Sequence, residues 1–106
     1  MSKNLLLIIN PIAGKRKSVD FLPKIVKKLE DADYAVSVRY TEIDKNAYYV
    51  TKHYGEGNEV IICCGGDGTL NETINGVLQL NKRVPVGYIP SGSTNDLATT
   101  LGITAG

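Results

Sequence analysis

Two uninterrupted apolar runs, Leu5–Ile9 and Val60–Cys64, constrain this chain more than any other feature. Successive strand residues point to opposite faces of a sheet, so a strand with no polar residue must be covered on both faces. That is the situation of a parallel sheet sandwiched between helices. Asn10-Pro11 stops the first run, and a glycine loop comes directly after the second.

The intervening segments have helical or alternating periods. Leu22, Ile25, Val26 and Leu29 form one apolar helical stripe. Pro23 belongs in the first turn of that helix, which makes Asp20 the expected N-cap, with Ser18 second. Residues 34–40 alternate, with Val36, Val38 and Tyr40 on one face and Ser37 and Arg39 on the other. They predict a half-exposed edge strand, closed by Thr41. Asp44 is the expected cap of a helix carrying Ala47, Val50 and Tyr54 on one stripe, ended by Gly55 and Gly57. Beyond the glycine loop a helix is expected with Leu70, Ile74, Val77 and Leu78 inward. A strand over 84–89, a loop over 90–94 and a last helix with Leu97, Ala98 and Leu101 complete the pattern.

Strand and helix thus alternate four times, which predicts a three-layer α/β domain with a mainly parallel open sheet. At 106 residues the chain suits one domain, and an open sheet of four strands is expected to be part of a larger protein. Net charge is +1, from 12 basic and 11 acidic residues, so no basic footprint for nucleic acid is present. The apolar run near the N-terminus is too short for a signal peptide or a membrane span. Cys63 and Cys64 are neighbours on one strand and poorly placed to pair. They read as small buried residues of a reducing, cytoplasmic compartment.

Chemistry is expected where parallel strands end, since ligands of open α/β sheets bind beyond the carboxyl ends at the point where strand order reverses. Three glycine-bearing loops leave strand ends there: 10–14 (Asn-Pro-Ile-Ala-Gly), 65–69 (Gly-Gly-Asp-Gly-Thr) and 91–96 (Ser-Gly-Ser-Thr-Asn-Asp). Each leads toward a helix N-terminus, whose unpaired N–H groups and positive dipole end suit phosphate. The Walker A loop, the complete dinucleotide fingerprint and the protein-kinase loops are all missing.

Asp67 is the informative residue, because a carboxylate among phosphates repels them unless a divalent cation or a ligand hydroxyl lies between. Mg²⁺ with a nucleoside triphosphate is the usual solution. The plain alternative, an Asp-Gly hairpin turn, requires a strand on both sides. Thr69-x-x-Glu72 is a capping box, so a structural role for Glu72 outranks a catalytic one. Asn10 and Asn95 offer amide hydrogens to phosphate or ribose, with turn capping as the alternative. Thr41 sits where a strand end meets a ligand, or is an ordinary strand residue. Lys15-Arg16-Lys17 is either a cationic rim or a solvated turn, His53 reads as a surface residue, and the six tyrosines read as packing.

The three loops, in this order and spacing, resemble the catalytic domain of diacylglycerol kinases, a family that includes sphingosine, ceramide and bacterial lipid kinases. The motifs are Asn-Pro-x-Ala-Gly at 10–14, Gly-Gly-Asp-Gly-Thr-Leu-Asn-Glu-x-Ile-Asn-Gly at 65–76 and Ile-Pro-x-Gly-Ser-Thr-Asn-Asp-Leu-Ala at 89–98. The central motif is shared with NAD kinases; the outer two favour lipid kinases. The resemblance implies a nucleotide-binding N-terminal domain over 1–106, with a β-rich second domain outside it. It implies ATP-dependent, Mg²⁺-assisted phosphorylation of a lipid hydroxyl, most simply that of diacylglycerol, by an enzyme peripheral at a membrane surface, and it admits a homodimer.

The same resemblance assigns nucleotide contacts to Asn10, Pro11, Ile12, Ala13, Gly14, Thr41, Gly66, Asp67, Gly68, Thr69, Leu70, Asn71, Glu72 and Thr94. It makes Asp67 the essential acid near metal and phosphates. Leu97 stands where many relatives carry Phe. An NAD kinase-like enzyme and a non-catalytic nucleotide-binding module are the alternatives, separable by the acceptor phosphorylated and by whether a strand-rich stretch lies beyond Gly106.

Overall fold

The computed structural model describes residues 3–11 and 21–90. Its elements run β1 (Lys3–Ile9), α1 (Leu22–Asp31), β2 (Tyr34–Tyr40), α2 (Ala47–Tyr54), β3 (Val60–Gly65), α3 (Asp67–Val77) and β4 (Val86–Pro90). The four strands form one sheet in the order β2-β1-β3-β4, with every pairing parallel. The expected fold class is therefore observed, with β2 at the edge that its alternating pattern requires.

The two apolar runs are the two central strands. Leu5, Leu7 and Ile9 turn toward α1 and pack with Ile25, Leu29, Ile62 and Cys64. Leu6 and Ile8 turn the other way and pack with Ala47, Val50, Ile61, Cys63 and Val77. Among the described residues α1 covers the first face, and α2 and α3 cover the second. Cys63 and Cys64 fall on opposite faces, both buried and both free thiols. Burial disfavours their thiolates, pushing Cys63 up to about 11 and Cys64 up to about 12.

Several local expectations are corrected. The N-cap of α1 is Phe21, without a side-chain cap, rather than Asp20 or Ser18, which lie outside the described residues. The N-cap of α2 is Asn46 rather than Asp44. Glu42 and Lys45 exchange backbone hydrogen bonds (2.9 and 3.2 Å) and hold the chain in a turn until Asn46, whose Oδ1 then accepts from the Tyr49 N–H at 3.1 Å. Thr51, not Tyr54, completes the buried stripe of α2.

The inward face of α3 is rotated from the one expected. Thr69, Thr73, Gly76 and Val77 are buried, while Ile74 and Leu78 are 44% and 56% exposed. The cause is a close crossing with α2: a Cβ on Gly76 would lie 2.6 Å from Thr51 Cβ. Thr73 tolerates burial because its hydroxyl donates to the Thr69 carbonyl at 2.8 Å. Strand β4 begins at Val86 rather than Val84, although Val84 still belongs to the core. The last helix, the third glycine loop and Lys15-Arg16-Lys17 lie outside the described residues.

Candidate functional site

The chain passes from β1 outward to β2, then crosses back to β3 on the other side of β1. Strand order therefore reverses between β1 and β3, and the crevice of an open α/β sheet is expected at their carboxyl ends. Those ends are held level. The Asn10 N–H donates to the Cys64 carbonyl at 3.0 Å, and the Thr41 N–H donates to the Ile9 carbonyl at 2.8 Å.

Glycine is needed at the junction of β3 and α3. A Cβ on Gly65 would lie 2.6 Å from Thr69 Oγ1 and 3.2 Å from Asn10 Cβ. That closeness lets the Asn10 amide donate to Thr69 Oγ1 at 3.3 Å, tying the first loop to the second. Gly66 is the N-cap of α3 in an extended conformation. At positions 66 and 68, by contrast, a Cβ would meet nothing within 4 Å among the described residues. No described residue crowds this side of the helix start, whose first N–H groups have no partner within the helix, and such a terminus suits an anion.

Asp67 occupies the first turn of α3, and its carboxylate is exposed there. The Tyr88 hydroxyl lies 3.4 Å from Asp67 Oδ1 and 3.3 Å from the Gly65 carbonyl oxygen. Burial and the Asp67 charge both disfavour the phenolate and raise the pKa of Tyr88 above the ordinary phenol range. Among the described residues no group of three or more His, Cys, Asp and Glu side chains is gathered. A lone carboxylate beside an anion site fits Mg²⁺ held mostly by phosphate and water, and does not fit a metal caged by protein.

Beside this helix start lies a cleft of about 230 Å³, lined among the described residues by Asn10, Pro11, Thr41, Glu42, Ile43, Asn46 and Glu72. Complete small-molecule sites span roughly 300–1,000 Å³, so the described residues line a cleft smaller than such a site. Two of these residues, Glu42 and Glu72, carry carboxylates, which favour a group that donates hydrogen bonds over a bare phosphate.

The expected capping box does not form. The helix α3 starts at Asp67, two residues before Thr69, which places Thr69 inside the first turn. Glu72 instead points at the neighbouring helix, where its Oε1 accepts from the Ala47 N–H at 3.2 Å.

The structure thus brings Asn10, Pro11, Thr41 and Glu72 to the cleft, and Gly66, Asp67, Gly68 and Thr69 to the helix start. Leu70 is half-buried against the core and Asn71 is exposed. Ile12, Ala13, Gly14 and Thr94 lie outside the described residues. Sequence reasoning missed Tyr88, Glu42, Ile43 and Asn46. Only Asn46 carried a local signal, as a good capping residue directly before Ala47.

Comparison with known proteins bears on the family and the fold. Residues 4–105 match the family model described as the diacylglycerol kinase catalytic domain. A diacylglycerol kinase of Bacillus subtilis (strain 168) is 37% identical over 102 residues, covering 95% of this chain and 34% of the relative. One from Staphylococcus aureus (strain MRSA252) is 38% identical over 104 residues, covering 97% of this chain and 33% of the relative. The crystal structure of a diacylglycerol kinase from Bacillus anthracis superposes with a TM-score of 0.74 at 34% identity, covering 97% of this chain and 38% of that one. The chain therefore spans about a third of the length of the curated relatives it matches.

Proposed function

The chain belongs to the diacylglycerol kinase catalytic-domain family, and from that premise we propose that residues 1–106 form the nucleotide-binding domain of an ATP-dependent lipid kinase. Diacylglycerol is the acceptor we favour, phosphorylated on its free hydroxyl at a membrane surface. One observation carries the reading. At the β1/β3 switch point no described residue stands against the Cβ positions of Gly66 and Gly68 at the N-terminus of α3, and its first turn carries one carboxylate, Asp67.

The electrostatics give the nucleotide a direction. Backbone N–H groups of α3 take the phosphates, with Gly66 and Gly68 allowing close approach and the Asn10–Thr69 contact fixing the two loops relative to each other. The cleft beside Glu72 and Thr41 takes the uncharged end, where hydroxyl or amine donors meet carboxylate and amide oxygens. Asp67 would hold Mg²⁺ against the phosphates, and the ion when bound supplies charge neutralisation during transfer. The remaining contribution of the chain is positioning and preorganised dipoles. Ile12, Ala13, Gly14 and Thr94 belong to the same reading as nucleotide contacts. Residues beyond this domain supply the lipid site and the base for the acceptor hydroxyl.

The test is an acceptor screen with the full-length protein and labelled ATP. Labelled phosphatidic acid from diacylglycerol, with NAD left unmodified, supports the reading. Transfer to NAD, or nucleotide binding with no transfer to any lipid, contradicts it.

A further inference from the structure

We propose that Tyr88 is a positioning residue for Asp67, acting through its phenol hydroxyl. The proposal rests on the nucleotide-site reading above and adds to it a residue that the glycine loops do not contain. Tyr88 stands in β4 opposite Cys63 in the sheet register, and its ring packs against the core face shared with α2 and α3. That packing anchors the ring at the carboxyl edge of the sheet, next to the loop between β3 and α3.

From there the hydroxyl reaches two acceptors of that loop, the Gly65 carbonyl oxygen at 3.3 Å and Asp67 Oδ1 at 3.4 Å. A phenol has one proton and both partners are acceptors only, so the proton is shared between them or alternates. Either way the loop's first residue and its acid are pinned to β4. Among the described residues no cation pairs with Asp67, and Tyr88 is its one side-chain partner. With Oδ1 engaged by Tyr88, Oδ2 has no described side-chain partner and remains available to a ligand. Without the hydroxyl, an exposed carboxylate on a helix start is free to rotate away from the metal and phosphates. Hydrogen bonds to a metal-binding group commonly shorten and align once the ligand is present.

The experiment uses the full-length protein and compares wild type, Tyr88→Phe, Asp67→Asn and the double variant. Affinity for Mg·ADP is measured by calorimetry, and turnover is measured as a function of Mg²⁺. Tyr88→Phe keeps the ring, so its thermal midpoint is expected to stay near wild type. Its apparent Mg²⁺ requirement and its Mg·ADP dissociation constant should rise about tenfold, the low end of the roughly 10–100-fold effects of outer-sphere partners. The KM for lipid should not move. In the Asp67→Asn background, Tyr88→Phe should cause no further loss of Mg·ADP affinity.

Unchanged Mg²⁺ dependence in Tyr88→Phe overturns the proposal, and so does a loss that persists undiminished without the Asp67 carboxylate. A wild type that binds no Mg·ADP overturns the nucleotide-site reading and this proposal together. A wild type that binds it, with Tyr88→Phe indistinguishable, overturns the Tyr88 role alone.

Discussion

Glu72 Oε1 accepts a hydrogen bond from the Ala47 backbone N–H at 3.2 Å, so an acidic residue of α3 serves as a cap for α2. The N-terminus of α2 has no acidic residue in its own first turn. Glu72 supplies that negative charge from outside the helix, where it meets both an orphan N–H and the positive dipole end.

Glu72→Ala is therefore expected to destabilise the domain by about 1 kcal/mol, the typical cost of losing a cap. Glu72→Gln keeps an acceptor oxygen and should lose less. Urea unfolding of the three proteins checks this, and equal stabilities would rule out the capping role.

Gly76 and Thr51 mark the closest crossing of α2 and α3. A methyl group at position 76 would overlap Thr51 Cβ at 2.6 Å and crowd the Tyr48 carbonyl at 3.0 Å. Gly76→Ala should cost about 1–3 kcal/mol through overpacking, despite the better helix propensity of alanine. Thr51 brings a second consequence, because its Oγ1 is buried with no hydrogen-bond partner among the described residues. Thr51→Val keeps the shape and removes the unsatisfied hydroxyl, so it should stabilise by about 1 kcal/mol. Thermal midpoints moving in opposite directions for the two variants are the expected result.

Cys63 and Cys64 give a pH dependence of known sign. Their ordinary value is 9.0, and burial raises them to about 11 and about 12 in the folded protein. Above pH 9 the unfolded chain releases thiol protons that the folded chain retains. Stability from this source is thus complete below pH 9 and is lost as pH rises toward 11–12, with a limiting slope of about 1.4 kcal/mol per pH unit for each thiol. Urea midpoints at pH 8 and pH 10 should differ, and the difference should shrink in Cys64→Val. Thiol reagents at pH 8 should label the native protein only as fast as it opens.

Residues 1–106 expressed alone are expected to bind ATP weakly and to transfer no phosphate to lipid. The lipid site and the acceptor base are expected in further chain. Lipid phosphorylation by this segment by itself would refute that division of labour.

The fold was legible in the sequence where burial on both faces leaves no choice of residue. Leu5–Ile9 and Val60–Cys64 declare two central strands, and the alternation of 34–40 declares an edge strand whose limits agree with the structure. The relationships that escape a reading of the sequence are contacts between segments distant along the chain. Glu72 meets Ala47 across 25 residues and Tyr88 meets Asp67 across 21, and no local period records either. A hydrophobic count misplaces the inward face of α3 because it treats Thr69 and Thr73 as polar. Thr73 satisfies its hydroxyl within its own helix, Thr69 takes the Asn10 amide, and Gly76 rather than a large apolar side chain sets the helix spacing. Of the candidate site, the glycine loop and Asp67 were readable from motif and position. The cleft was not, because the turn at 42–45 that shapes it arises from backbone pairing between Glu42 and Lys45.

The decisive measurement is Mg²⁺-dependent phosphorylation of diacylglycerol in mixed micelles by the full-length protein and by its Asp67→Asn variant. Turnover by the wild type is expected, with a loss of at least about 100-fold in the variant. Losing the N-terminal charge of α3 should cost no more than about 1 kcal/mol of stability, so the variant should remain folded. Near-normal turnover by folded Asp67→Asn would contradict the assignment of this carboxylate, at the start of α3, to the metal–phosphate site.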